Sequence, residues 1–569
     1  MSLVFAAILA AFTVVQNGDQ KVRREFRFDD PGPGIVKAEA IGDQHVVFQD
    51  AEGRPVKYYH TVTDSWCDAE KIVPKRHFSA TAWGVVVAYF GVIALIGWMF
   101  ARKEKSADSF FRGGGRIPWY VAGVSIFATM LSSVTFLSVP ALSYISDWRL
   151  FQNIIVGYLL VSPLALLFYM PVFRRMNLTS AYEYLERRFN LGTRLFSSGV
   201  FVVFMVLRVA IVTLLPAIAI DAVTGIGVDA AIFICGAVTI LYCSLGGLEA
   251  VVWSDFVQGL VLLCGAAAIL VALLAGTDGG AGGALSMAAA AHKDFCWDFR
   301  PGVGELTFWV AASLGVTQCL FSYTSDQCIV QRYISVKDEK AAARSIICNC
   351  ILGIAASALF FSIGTALWTH YKCHPEMLDP MMPKPDSILP HFMSMELPPA
   401  VAGLVIAAVF AATISTLSAN LSAASSALTT DFVARFRAVS DRARVRLGQI
   451  FVVTCGLIGT AAAFVLAHVD LRSLCDLFQE TISTVTAGVA GVFFLGVFCR
   501  RVGGGAAVAG LAVNYAVCFR MKFGGLAAAW GVHPFMIGGF GLVACVATGL
   551  LISVFAPKTP MGTDPAKAL

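Results

Sequence analysis

The chain has 569 residues, of which 57% are hydrophobic and only 14% are charged, and its mean hydropathy is strongly positive. This composition excludes an ordinary soluble globular domain and indicates a protein embedded in lipid. The net charge of +5 is small for this length and lies in short loops, so it indicates membrane orientation and not a nucleic-acid partner.

The N-terminal segment begins with the apolar run MSLVFAAILAAFTVV, which has about the length of a signal-peptide core and is too short for a comfortable span. No Lys or Arg precedes the run, so residues 1–16 are either a cleaved signal sequence or an uncleaved anchor. Residues 17–78 then form an exported soluble extension. Within it, HVVFQDAEGRPVKYYHTV predicts two short strands around a Glu-Gly turn, a small hairpin that caps the first span.

Apolar stretches long enough for a membrane helix, which needs about 20 residues, recur from about Ser79 to about Phe555. We predict an all-α membrane protein with about thirteen transmembrane helices in residues 79–557, followed by a cytoplasmic tail at 558–569. The predicted helices are centred near Ala88, Met130, Leu160, Met205, Val238, Val261, Gln318, Ala356, Ala407, Thr454, Gly488, Leu511 and Cys545.

The loops between these stretches differ in charge, and the difference predicts their side of the membrane. Basic segments follow the first, third, seventh, ninth and eleventh spans, and Lys and Arg resist translocation. We therefore expect a multi-pass protein of the cell membrane (inner or plasma membrane), with its extension outside and its C-terminus in the cytoplasm. The basic segments are residues 101–105, 173–189, 331–344, 432–446 and 499–501.

Residues that could carry enzyme chemistry are sparse. Most cysteines fall inside spans, where Cys is a small apolar residue, whereas Cys67, Cys296 and Cys373 lie in outer segments. The sequence contains no spaced Cys/His set for a metal, no nucleophile paired with a base and no phosphate loop. We therefore expect a protein that is not an enzyme and has no cofactor.

Polar groups at membrane depth are costly and so indicate function, and four features of this kind occur. The second span contains VSIFATMLSSVTFLSVPA, whose Ser and Thr content and Pro140 predict a broken helix with free backbone carbonyls. The ninth span continues into AATISTLSANLSAASSALTTD, which places a stripe of hydroxyls on one helix face. Arg208 lies mid-span in the fourth span, and Asp255 lies in the sixth span after a tight inner turn.

Each of these features also has a structural explanation. Ser and Thr on a span often only satisfy backbone carbonyls or allow close helix packing, and a buried Asp can pair structurally. An Arg can snorkel to the interface, although its reach from mid-span is poor. In combination, a breakable helix, a hydroxyl stripe, a carboxylate and a guanidinium indicate binding of a hard cation together with an anionic solute.

The sequence resembles the sodium/solute symporter family, and most closely its bacterial sialic acid symporters, over about residues 79–557. Four segments carry the resemblance: ADSFFRGGGRIPWYVAGVSIFATMLSSVTFLSVPA, NLTSAYEYLERRFN, GGLEAVVWSDFVQG and DQCIVQRY. The resemblance implies a leucine-transporter-like fold, with two inverted five-helix repeats formed by spans two to six and seven to eleven.

The resemblance also implies a principal sodium site between the broken helix and the hydroxyl-rich helix. Carbonyl ligands would come from Ala128, Leu131 and Ala412, and hydroxyl ligands would come from Ser415 and Thr416. Oxygen ligands without a full counter-charge suit a monovalent cation that must leave again.

In the sialic acid symporters a second sodium is held by an Asp and three Ser. Asp255, Ser415 and Ser418 match three of these positions, but the fourth is Ala419, which has no side-chain oxygen. The resemblance therefore implies a second sodium site that is weak or absent.

For the solute, Arg208 falls where those symporters place the arginine that holds the sialic acid carboxylate, and Ser132 and Thr135 match two polar contacts. Met130 replaces a threonine, so the contacts to a polyol are fewer. The glutamine of those symporters aligns with an apolar residue, Ile154 or Ile155, close to Gln152 and Asn153.

The expected function is a sodium-coupled secondary active symporter that imports an organic anion, sialic acid or a related sugar acid. Its partners would be sodium, the solute and the lipid bilayer. Two alternatives stay open: a sodium symporter for a neutral sugar or a monocarboxylate, and a nontransporting relative with a sensing role. A channel is disfavoured because the polar groups gather at one depth.

Overall fold

The computed structural model of the protein describes residues 13–17, 20–24, 37–41, 45–50, 52, 54–69, 78–101, 106–176, 178–379, 382, 385–468 and 474–555. Residues 1–12 of the predicted signal sequence or anchor lie outside this described part of the chain, and so does the predicted tail at 558–569.

The extension forms antiparallel sheets. The two strands expected around the Glu-Gly turn are present as the central strands of a four-stranded sheet. This sheet has the order β3 (Lys37–Ile41), β4 (His45–Gln49), β5 (Pro55–His60) and β6 (Ser65–Asp68), and it follows a separate pair, β1 (Thr13–Asn17) and β2 (Gln20–Arg24).

The rest of the described chain is mostly helical. Its first ten helices are α1 (Ala80–Ala101), α2 (Ala107–Arg112), α3 (Trp119–Met130), α4 (Ser133–Ile145), α5 (Phe151–Leu164), α6 (Met170–Arg175), α7 (Tyr182–Arg188), α8 (Leu191–Thr224), α9 (Val228–Gly276) and α10 (Gly280–Ala290). The next ten are α11 (Phe308–Thr324), α12 (Gln327–Ile334), α13 (Glu339–Cys373), α14 (Ile388–Met395), α15 (Pro399–Ala427), α16 (Asp441–Ala467), α17 (Leu474–Phe498), α18 (Gly504–Lys522), α19 (Leu526–Ala529) and α20 (Ile537–Phe555).

The predicted all-α membrane architecture is confirmed, whereas the number of spans is not. Within the described residues, nine helices are long and apolar enough to cross a bilayer, or ten when the bent pair α3 and α4 is taken as one span. All the predicted span centres lie within helices. Val238 and Val261 share the 49-residue α9, and Gln318 lies in α11, which has only 17 residues. The count of thirteen therefore stays a prediction.

The predicted break in the second span is present between α3 and α4, whose axes differ by 61°. Leu131 and Ser132 leave helical geometry, with ψ angles of 101° and 162°. The Ser132 hydroxyl accepts the backbone N–H of Thr135 at 3.3 Å and so caps the start of α4. A residue with a strong N-cap preference thus begins the second half of the span.

A second break, between α11 and α12, falls in the segment DQCIVQRY. Asp326 is extended, with φ −75° and ψ 107°, and its Oδ1 accepts the backbone N–H of Cys328 at 2.9 Å. Asp326 therefore caps α12 as Ser132 caps α4. Both breaks lie in the first span of the repeats that the resemblance implies.

The predicted inner turn within α9 lies at Gly247, which has φ 57° and ψ −162°. A Cβ atom at this position would lie 2.8 Å from Cδ2 of Phe110. Glycine is therefore required here both by the backbone conformation and by the close approach of α2.

Helix α15 lies in the protein interior, so its hydroxyl stripe faces other helices and not lipid. From Ala402 onward nearly every residue is buried, including Ser415, Thr416 and Ser418. Its small residues allow close packing: a Cβ added to Gly265 of α9 would lie 2.7 Å from Cβ of Ala408.

The sheet of the extension contacts the ends of α4 and α13 that face away from the basic loops. Nε1 of Trp368 donates to the carbonyl oxygen of Val62 at 2.9 Å. The hydroxyl of Tyr144 lies 3.3 Å from Nε2 of His60. These contacts place the sheet over α4 and α13, whereas the sequence led us to expect a cap on the first span.

Candidate sodium and solute sites

The hydroxyl stripe of α15 faces the break between α3 and α4. The hydroxyl of Ser415 donates to the carbonyl oxygen of Ala128 at 3.0 Å and lies 3.2 Å from the carbonyl oxygen of Ala412. The hydroxyl of Thr416 donates to the same Ala412 carbonyl at 3.1 Å. All four residues are fully buried. The structure thus brings four of the five predicted principal-site residues together.

The break explains why backbone oxygens are available at this point. In a continuous helix the Ala128 carbonyl would accept the N–H of Ser132, but Ser132 is extended. The Leu131 carbonyl would accept the N–H of Thr135, which donates to the Ser132 hydroxyl instead. Leu131, the fifth predicted residue, therefore lies at the break with its carbonyl outside the helical hydrogen-bond ladder.

Asp255 is fully buried beside the hydroxyl stripe, and its carboxylate already has a cationic partner. Its Oδ2 lies 2.6 Å from Nη2 of Arg332 and accepts the hydroxyl of Ser125 at 2.7 Å. Nε of Arg332 donates to the same Ser125 hydroxyl at 2.7 Å. Asp255, Ser125 and Arg332 therefore join α9, α3 and α12 in one hydrogen-bonded cluster.

The position of Arg332 corrects the sequence analysis, which assigned residues 331–344 to a basic cytoplasmic loop. Arg332 instead lies in α12 and is completely inaccessible to solvent. The only available signal was its place in DQCIVQRY, because charge alone does not distinguish a loop arginine from a buried one. Arg332 and Ser125 are the residues of this cluster that the sequence analysis did not single out.

The three residues predicted for a second sodium are only partly assembled. The hydroxyl of Ser418 lies 3.4 Å from Oδ1 of Asp255 and donates to the carbonyl oxygen of Ser415 at 2.9 Å. The Ser415 hydroxyl itself contacts Ala128. Ala419 is fully buried and its carbonyl accepts the Cys328 thiol at 3.4 Å. The guanidinium of Arg332 also occupies the Oδ2 side of the Asp255 carboxylate.

Arg208 lies midway along α8, close to the start of α12. Its Nη1 is 3.6 Å from Oδ2 of Asp326, and the two side chains are 10% and 4% exposed. Nε of Arg208 is buried and has no hydrogen-bond partner in the described part of the chain. Asp326 is a second charged residue that the sequence analysis did not single out, because an aspartate before a helix is most simply a cap.

The other predicted solute contacts lie at the start of α4. The hydroxyls of Ser132 and Thr135 are 3.3 Å apart, with Ser132 buried and Thr135 half-buried. The Ser133 hydroxyl contacts the carbonyl oxygen of Val212, 3.4 Å away and one helical turn beyond Arg208 on α8. The break in the second span therefore packs against the part of α8 that carries Arg208.

Met130 and Gln152, two positions that the sequence analysis compared with solute contacts, have different partners. The amide nitrogen of Asn349 contacts the Met130 sulfur at 3.4 Å and the Tyr323 hydroxyl at 2.5 Å, between the two helix breaks. Oδ1 of Asn349 has no partner among the described residues. Gln152, by contrast, donates to the carbonyl oxygen of Cys296 in the loop between α10 and α11.

The sequence model of the sodium:solute symporter family matches residues 110–513. The chain belongs to the sodium:solute symporter family. It is 34% identical over 498 residues to the sodium/sialic acid symporter SiaT of Proteus mirabilis, which covers 86% of this chain and 98% of that relative. As a member of this family, the protein is a multi-pass membrane transporter and not an enzyme.

Solved structures of related transporters share its fold. A substrate-bound outward-open state of a Na+-coupled sialic acid symporter superposes with a TM-score of 0.79 at 33% identity, over 85% of this chain and 100% of that chain. Mhp1, a nucleobase-cation-symport-1 family transporter, superposes with a TM-score of 0.52 at 16% identity, over 79% of this chain and 96% of that chain. The leucine-transporter-like fold of this sodium:solute symporter is thereby confirmed.

Proposed function

We propose that the protein is a sodium-coupled symporter that imports an organic anion, with a sialic acid or a related sugar acid as the first candidate. The observation that carries the proposal is the contact of the Ser415 hydroxyl with the Ala128 carbonyl, 3.0 Å apart at a helix break. This contact joins α15 to α3 at the break, and Ser133, just beyond the break, contacts the helix that carries Arg208. A cation site and an anion site would therefore be neighbours.

Sodium would be held by four oxygens that now form a chain of contacts, together with the Leu131 carbonyl at the break. The ligands would be the carbonyls of Ala128, Leu131 and Ala412 and the hydroxyls of Ser415 and Thr416. A bound cation would replace the hydrogen bonds among these groups, since a hydroxyl can offer a lone pair once its proton turns away. Because α3 and α15 supply ligands from separate spans, binding of sodium would stabilise their contact and close the break around the ion.

The solute carboxylate would be held by Arg208, with Ser132 and Thr135 as polar contacts at the start of α4. A planar guanidinium can form two parallel charge-assisted hydrogen bonds with a carboxylate. Since Ser132 also ends the break beside Leu131, the solute and the sodium would share one backbone segment. This shared segment is the physical basis we propose for coupling.

Membrane orientation follows from the distribution of charge, and it is part of the proposal. The extension would lie outside the cell membrane and the C-terminus inside, because the basic loops at 173–189 and 432–446 resist translocation. The coupling ion would then enter from the side on which the extension lies.

A smaller monocarboxylate is the second candidate, and Met130 is the observation that favours it. Met130 ends α3 beside the break, and its sulfur contacts Asn349. An apolar side chain at this position offers little to a polyhydroxylated chain but accommodates a short acid. Arg208 would serve either solute.

Transport in proteoliposomes tests the proposal. We expect uptake of radiolabelled N-acetylneuraminic acid when sodium is outside, and none with a potassium gradient of equal size or after an ionophore collapses the sodium gradient. Lactate and glucose in the same assay separate the other candidate solutes. Uptake that ignores sodium would overturn the symporter assignment, and sodium-dependent uptake of glucose alone would overturn the anion.

Substrate binding without uptake would favour a nontransporting sensor. Purified protein should therefore be examined by calorimetry in parallel with the uptake assay. In the uptake assay, vesicles that lack the protein are the control for leakage. Sodium-dependent binding combined with uptake is the expected result.

A further inference from the structure

Arg208 and Asp326 form a looser pair than another buried arginine and aspartate of the same chain. The Nη1 to Oδ2 distance is 3.6 Å, beyond hydrogen-bond range, and Nε of Arg208 lacks a partner among the described residues. Arg194, in contrast, donates to Oδ1 of Asp431 through Nε at 3.0 Å and through Nη2 at 2.6 Å. The Arg208 guanidinium is therefore near a negative charge while its Nε donor stays unused.

The position of the Asp326 carboxylate is set by the helix that follows it. Its Oδ1 accepts the N–H of Cys328 at 2.9 Å as the cap of α12, which leaves Oδ2 facing Arg208. Moving closer to the guanidinium would take the carboxylate away from the N–H that it caps. The incomplete pairing is therefore a property of the fold, because α12 holds one partner and α8 holds the other.

A buried guanidinium with no anion nearby would be strongly destabilised, and a saturated one could not bind a solute. The loose pair avoids both conditions, since Asp326 supplies charge without occupying all the donors. We propose that Asp326 is the resident counter-ion of Arg208 and that the solute carboxylate competes with it for the guanidinium. Asp326 would thereby set the affinity and selectivity for anions, and its repulsion would help the bound anion to leave.

This inference rests on the proposed function, and its test separates the two. Asp326→Asn removes the charge and keeps a side chain that caps helices well. We would measure the dissociation constants of N-acetylneuraminic acid and its methyl ester at saturating sodium. Lactate and lactamide form a second pair of probes. We expect the acid to bind at least about tenfold more tightly to the variant, as removal of a nearby like charge implies, and the neutral analogue to bind unchanged.

Two further variants make the comparison decisive. Asp326→Ser removes the same charge and also caps helices, so it gives the same comparison if the asparagine variant does not fold. Asp431→Asn removes a buried partner of Arg194 and is the matched control, for which the ratio of acid to neutral affinity should stay at its native value. A lower melting temperature in this control would not affect that ratio.

Failures of the two ideas look different. If the native protein binds neither the acids nor their neutral analogues, the proposed function is wrong. If the native protein binds the acid but a folded Asp326 variant binds it equally or more weakly, Asp326 does not compete with the solute. In the latter case its carboxylate would be a direct acceptor or a cap only, and the inference is overturned.

Discussion

Arg332 and Asp255 form a fully buried ion pair, in which Nη2 of the guanidinium lies 2.6 Å from Oδ2 of the carboxylate. A carboxylate neutralised in this way attracts a second sodium weakly, and Ala419 provides no further side-chain oxygen. We therefore expect one sodium per solute, with a Hill coefficient near one for sodium in uptake assays. Ala419→Ser alone should not change it, because Arg332 remains in place.

The double variant Ala419→Ser with Arg332→Gln should behave differently. It frees Asp255 and supplies the missing oxygen, so the Hill coefficient should approach two. Arg332→Gln alone should lower the free energy of unfolding by about 3–5 kcal/mol, because it leaves a buried carboxylate unpaired. A native Hill coefficient near two would contradict this view of the pair.

Replacing both Ser415 and Thr416 by Ala should weaken activation of uptake by sodium at least about tenfold, because the two side-chain oxygens of the principal site are lost. Sodium titration of uptake measures the effect. Ser425→Ala is the matched control: its hydroxyl lies on the same helix but donates to the Gly448 carbonyl at 2.7 Å. Equal sodium affinity in the double variant and the control would remove the assignment.

Arg208→Lys should weaken binding of the acid by about tenfold or more, since a point charge cannot reproduce the paired hydrogen bonds of a guanidinium. Arg208→Ala should weaken it further. Calorimetry at saturating sodium is the measurement. The control is Arg188→Lys, which alters a part-buried arginine bonded to the carbonyls of Gly496 and Cys499. Binding that is indifferent to Arg208 would exclude its role in holding the solute.

Acid should loosen the contact between the extension and the transport domain. Burial lowers the pKa of His45 to about 4, with Asp379 opposing and His391 reinforcing the shift. Burial also holds the pKa of His60 well below its ordinary value, and His45 adds to that effect. Both rings are therefore neutral when docked. For His45, docking loses up to about 1.4 kcal/mol per pH unit as the pH falls from about 6.5 towards 4, and His60 acts in the same direction.

Hydrogen exchange of residues 45–68, corrected for the intrinsic effect of pH, measures this loosening at pH 7.5 and 5.0. His45→Phe keeps a ring beside His60, whose centroid lies 4.5 Å away, and removes one titrating group. We expect this variant to lose part of the acid effect. Exchange that is equally slow at both pH values in the native protein would contradict the prediction.

The sequence predicted the parts of the candidate site that follow from local periodicity. Ser415 belongs to a regular stripe of hydroxyls on one helix, whereas Thr416 was assigned from the family resemblance. The Ser- and Thr-rich segment around Ser132 predicted a broken helix. Such patterns depend on neighbours along the chain, so the sequence contains them. Contact of Ser415 with Ala128 required the family resemblance, because these residues are 287 positions apart.

The missed residues depend on packing between distant segments. Arg332 follows a helix break and precedes a basic loop, so counting charge assigns it to the loop. Only the fold brings it to Asp255, 77 residues earlier. Asp326 has the sequence context of an ordinary helix cap, which it is, and its second relationship with Arg208 arises because the start of α12 lies near the middle of α8.

The docked sheet has a mechanical consequence for the transport cycle. Its segment from His60 to Val62 is hydrogen-bonded to Tyr144 and Trp368, so it joins the ends of α4 and α13 that face away from the basic loops. These two helix ends can separate only if the hydrogen bonds break, so a movement that keeps the bonds carries the sheet and both helix ends as one rigid unit. An opening that admits the solute would then lie beside this unit and not between the two helix ends.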